Sequence, residues 1–88
     1  MNETAIFRVS IVETWSRRAR AAGLVHVDGW ANRSVFEGTA EAWARLAVDL
    51  REIEADLTHQ ITTAEGQRKR ALLGERQSVR AALARIPK

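Results

Sequence analysis

Hydrophobic and polar positions alternate at the start of the chain and then change period. In residues 5–12, Ala-Ile-Phe-Arg-Val-Ser-Ile-Val, the side chains of Ala5, Phe7, Val9 and Ile11 share one side at period two. The β-branched and aromatic content fits a strand, and Ile6 and Val12 make its second side partly apolar. Leu24-Val25-His26-Val27 and Ser34-Val35-Phe36-Glu37 read as two further short strands. Between them Asp28-Gly29-Trp30-Ala31-Asn32-Arg33 supplies turn chemistry, so a hairpin is expected there.

Residues 14–23, Thr-Trp-Ser-Arg-Arg-Ala-Arg-Ala-Ala-Gly, admit two readings. One is a short helix capped by Thr14 that groups Trp15, Arg18, Ala19 and Ala22 and stops at Gly23. The other is a hairpin turning near Trp15 and Ser16. The arginine and alanine content favours the helix.

From Thr39 the period becomes helical. Trp43, Leu46, Leu50, Ile53 and Leu57 recur at alternating spacings of three and four, Thr39 is a natural N-cap and Glu41 suits the positive helix start. The opposite face carries Glu41, Arg45, Asp49, Glu52 and Asp56. Between Thr58 and Gly66 weaker helix formers accumulate, and a break is expected near Ala64 to Gly66. A second helix then aligns Leu72, Val79, Leu83 and Ile86 and ends at Pro87. A helical hairpin follows, with one long dimerising helix over residues 40–86 as the alternative. The expected fold class is therefore α+β: a small antiparallel sheet of about three strands, then a two-helix hairpin. Residues 1–88 form one domain on this reading, with 1–38 mainly β and 39–88 mainly α.

Composition narrows the chemistry. There is no cysteine, so a disulfide framework and a thiolate zinc site are excluded. No run approaches the ~18 apolar residues of a membrane span, and the N-terminal stretch lacks the pattern of a secretory signal. The expectation is a cytoplasmic protein with no membrane association, either a monomer or a homodimer.

Catalysis needs a nucleophile with a base, or paired carboxylates in a cleft. His26 and His59 are the only histidines, in separate elements and outside any known motif. An enzyme would have to assemble residues such as His26, Glu13 and Asp28 that no spacing predicts. His26 and Asp28 are expected on one strand face, but two ligands do not make a metal site. The expectation is no enzyme, no catalytic or metal site and no cofactor.

Charge supplies the strongest signal. Residues 1–39 hold five basic and four acidic side chains, 40–66 two and six, and 67–88 seven and one. Such a sign change means either pairing between segments or an acidic partner outside. Arg17, Arg18 and Arg20 form one cluster; Arg68, Lys69, Arg70, Arg76 and Arg80, with Arg85 and Lys88, form another. Lys69, Arg76 and Arg80 fall in one band beside the apolar stripe of the second helix, where they can meet phosphates or pair with Glu54 across the hairpin.

Of the three tryptophans, Trp43 belongs to the helical stripe and Trp15 to the core or its rim. Trp30 sits in the expected turn, where a large ring gains little from folding alone; it either anchors a partner or packs back on the sheet. The first expectation is thus a non-catalytic regulatory or inhibitory module that docks on a protein or protein complex. Its candidate contacts are Trp30, Arg17, Arg18, Arg20, Arg68, Lys69, Arg70, Arg76 and Arg80. In size and character it is similar to inhibitors used by mobile elements, such as anti-CRISPR proteins, an analogy that carries no residue correspondence. The alternative is a dimeric, basic nucleic-acid-binding regulator.

Overall fold

The computed structural model describes residues 5–87. Strand β1 (Ile6–Val12) leads through a 3-10 turn (Glu13–Trp15) into α1 (Ser16–Ala21). Strands β2 (Val25–Trp30) and β3 (Arg33–Thr39) form a hairpin, followed by α2 (Ala40–Ile61) and α3 (Gly66–Arg85). The sheet is antiparallel in the order β1-β3-β2, so β3 is central and β2 has a neighbour on one side only.

The period of β1 sets the layers. Phe7, Val9 and Ile11 lie opposite Gly38, Phe36 and Ser34 on β3, and this inner face meets the helices. Ile11, Phe36, Trp43, Leu46, Leu50 and Val79 are the largest fully buried side chains, and they join sheet, α2 and α3 into one core. Trp43 also donates its indole N–H to the Phe7 carbonyl at 3.1 Å, which satisfies the polar end of the largest core side chain. Trp15 is buried as well, and its Nε1 has no acceptor among the described residues.

Residues 14–23 resolve as helix. Thr14 does not cap it: α1 has Trp15 at its N-cap position and no side-chain cap, because the preceding 3-10 turn already carries the chain into it. Its C-terminus closes with the amides of Gly23 and Leu24 donating to the carbonyls of Arg20 and Ala19, both at 3.0 Å. That pair of bonds is a Schellman motif, and it requires the left-handed φ of 99° that Gly23 adopts. Arg45 of α2 adds a donor, Nε to the Ala22 carbonyl at 2.9 Å, and so anchors α1 to the helical layer.

Thr39 caps α2 as expected, its Oγ1 accepting from the Ala42 amide at 3.2 Å. The break falls at residues 62–65, and Gly66 opens α3 with a φ of 63°. The chain therefore turns back as a helical hairpin. Leu57, Ile61, Ala64 and Leu72 continue the buried stripe along its distal part. No helix among the described residues is long and apolar enough to cross a membrane.

The β-hairpin departs from expectation. Its turn is the two residues Ala31 and Asn32, and both strands run up to it, so Trp30 ends β2 instead of lying in a loop. Asp28-Gly29, a strong turn signal, sits inside the strand beside a bulge between His26 and Asp28. The bulge inserts Val27 and reverses the alternation: His26 pairs with Phe36, whereas Asp28 pairs with Val35. His26 and Asp28 consequently occupy opposite faces, which dissolves the expected fragment of a metal site.

Candidate docking face

Every residue of β2 is exposed. The outer sheet face is read off the register in rows: Val25, Glu37 and Arg8; then Asp28, Val35 and Ser10; then Trp30, Arg33 and Val12. Val35 is buried in the middle of it, flanked by strands on both sides. Around this centre lie large apolar side chains open to solvent, with Trp30 54% exposed, Val25 60% and Ile6 57%. Isolated exposed valines are ordinary, but a half-exposed indole at the rim of a sheet face, and beside a strand edge, that the described residues leave uncovered is not. Half of the β2 backbone N–H and C=O groups point away from β3, as on any edge strand.

Four of the other eight expected contacts are already engaged. Arg18 grips Asp49 through Nη1, at 3.0 and 3.2 Å from the two carboxylate oxygens. Arg80 pairs with Glu54, Arg76 Nη1 donates to Thr58 Oγ1 at 3.3 Å, and Arg68 reaches Gln60 Oε1 at 3.5 Å. The basic band of α3 is thus tied largely to α2. Arg17, Arg20, Lys69 and Arg70 make no ion pair or side-chain hydrogen bond among the described residues, and they lie on two separate helices. Lys88 lies outside the described residues.

On the inner side of β2 a cleft of about 510 Å3 opens between the 3-10 turn and α1 on one side and the β-hairpin on the other. Glu13, Ser16 and Arg20 form one wall, with His26, Gly29 and Ser34 opposite, and Trp30, Ala31 and Arg33 bound its end at the hairpin turn. Ser34 is only 5% exposed and accepts from the Ser16 hydroxyl at 3.2 Å. The His26 ring meets Phe36 edge-on, with centroids 5.2 Å apart, and lies over Gly29. A Cβ at Gly29 would stand 3.4 Å from His26 Nε2 and 3.1 Å from the Arg33 carbonyl, so glycine clears this floor. Glu13 and His26, distant in sequence, both line this cleft, while Asp28 faces the other way. No signal along the chain announces this cleft, because tertiary packing alone brings α1 against the hairpin.

Among the described residues no group of three or more His, Cys, Asp or Glu side chains is placed to hold a metal ion. Compared with known proteins, the chain matches no family model, no curated protein and no solved structure.

Proposed function

We infer that this chain is a small non-catalytic docking module that binds a protein partner through the exposed face and edge of β2, with Trp30 as the anchor. The observation that carries this reading is the exposure of Trp30 at the end of an uncovered edge strand. An indole that is half in solvent has part of its apolar area still to withdraw from water, and a partner that covers it gains that burial. Regulation or inhibition then follows from occupying a surface that the partner needs elsewhere.

Charge supports a protein over a nucleic acid. Phosphate binding draws on many unpaired cations along one surface. Here Arg18, Arg68, Arg76 and Arg80 direct their donors to groups within the chain, and Arg17 and Arg20 lie on a different helix from Lys69 and Arg70.

A photo-crosslinking tryptophan analogue placed at position 30, where it keeps the anchoring ring, and separately at Ala84 on the exposed side of α3, tests the assignment in the cell of origin. Discrete protein adducts from position 30 and none from position 84 are the expected result. Adducts from position 84 alone, or nucleic-acid adducts from position 30, contradict it.

A further inference from the structure

The cleft beside Trp30 has a polarity that specifies what enters it. Glu13, Ser16 and Arg20 recur at spacings of three and four, so they share one side of the 3-10 turn and α1. The buried stripe of Trp15, Ala19 and Ala22 faces the core instead. Glu13 donates its amide to the Asn32 carbonyl at 2.7 Å, which fixes it at the turn end of the β-hairpin. At the other end, α1 closes at Ala21 and the chain enters β2 at Val25, so Arg20 stands toward His26. The wall therefore runs from negative beside the hairpin turn to positive beside His26. Neither Glu13 nor Arg20 has an ion-pair partner among the described residues, and they do not pair with each other.

We propose that this cleft is the specificity site of the docking face and takes an extended segment of the partner. That segment carries an acidic side chain against Arg20 and His26 and a basic one against Glu13. The inference rests on the reading that the β2 face docks a protein. Glu13 to Arg20 spans roughly 11 Å at 3-10 and α rises. Same-side residues of a strand, at about 3.3 Å per residue, match that span best when they are about four positions apart. The odd positions between them turn to the outer face, where Val25 and Trp30 offer apolar surface. The bulge at Val27 interrupts the free edge, as bulges on edge strands do, and prevents indiscriminate strand pairing. Recognition then lies with the two charges of the cleft, whose complementarity selects the partner and its chain direction.

A display library of short random peptides, selected on the intact immobilised protein and counter-selected on Trp30→Ala, tests this. The expected result is about tenfold enrichment of peptides in which an acidic and a basic residue stand four positions apart between apolar ones, always in the same order. On the doubly substituted Glu13→Lys, Arg20→Glu protein the order inverts. Peptides that depend on Trp30 but carry no such pair, or carry it in one order on both proteins, overturn the inference and leave the docking reading standing. Recovery of no Trp30-dependent peptide counts against both.

Discussion

Trp30 and Arg33 are paired across the two-residue turn of the β-hairpin and share its outer face, yet the Arg33 guanidinium is held away on β1. Arg33 reaches over the outer sheet face to β1, with Nε to Ser10 Oγ at 2.7 Å and Nη2 to the Ser10 carbonyl at 2.9 Å. The cation that could have covered the indole is instead a strap across the central strand. It leaves Trp30 open and stiffens the sheet beneath it, which is the arrangement expected of an anchor on a rigid support.

The turn that holds Trp30 is strained at one point. Ala31 has a φ of 51°, where a residue with a Cβ loses about 1–2 kcal/mol and glycine does not. After the larger chain entropy of glycine is subtracted, Ala31→Gly stabilises the protein by about 0.5–1 kcal/mol. Urea unfolding monitored by circular dichroism checks it; a loss of stability would show that the turn is relaxed in solution.

Two glycines give opposite expectations. Gly74 lies within α3, and a Cβ added there would meet nothing within 4 Å, so Gly74→Ala gains about 1 kcal/mol of helix propensity. At Gly38 a Cβ would stand 2.5 Å from Leu24 Cδ2, and Leu24 is itself in the core. Gly38→Ala is therefore expected to cost about 1–3 kcal/mol through overpacking. Thermal unfolding of the two variants side by side measures the difference, and equal midpoints would contradict the close packing of Leu24 against β3.

Some of this architecture is legible in the sequence and some is not, for physical reasons. β1 and α2 each bury one clean face, so period two at Phe7, Val9 and Ile11, and period 3.6 from Trp43 to Leu57, identify them without ambiguity. Thr39 and Gly66 mark helix boundaries by local chemistry that tertiary structure does not override. The β-hairpin misleads because Asp28-Gly29 carries turn chemistry but serves other ends. Asp28 Oδ1 accepts from the Gly29 amide at 2.8 Å, and Gly29 gives clearance to His26. β2 buries no residue at all, so no hydrophobic period records its register. For Trp30 the sequence poses a choice without deciding it, since an indole near a turn either packs back on the sheet or stays open. The cleft leaves no trace along the chain, since Glu13 and His26 belong to elements whose contact depends on how α1 folds back.

The basic residues of α3 yield a further expectation. Arg76 and Arg80 are surface groups bonded to Thr58 and Glu54, and such pairs contribute between 0 and about 1 kcal/mol. Joint replacement of Lys69, Arg76 and Arg80 by glutamine thus leaves stability within about 1–2 kcal/mol of the parent. It also leaves partner binding unchanged. Fluorescence anisotropy with a labelled mixed-sequence duplex is expected to show no binding that falls steeply with salt, and a steep fall abolished by this triple substitution would favour the nucleic-acid regulator.

Whether Trp30 anchors a protein partner is decided by quantitative affinity capture from the cell of origin with three forms of the protein: the parent, Trp30→Ala, and the triple glutamine variant of α3. Trp30 is half exposed, so its replacement is expected to leave the fold intact, which circular dichroism verifies. The expected result is a protein partner retained by the parent and the triple variant and weakened by about thirtyfold or more with Trp30→Ala, the loss of an interface anchor worth about 2 kcal/mol. Retention of the same partner by Trp30→Ala, with its loss from the triple variant, would contradict the assignment of Trp30 as the anchor and move the binding surface to α3.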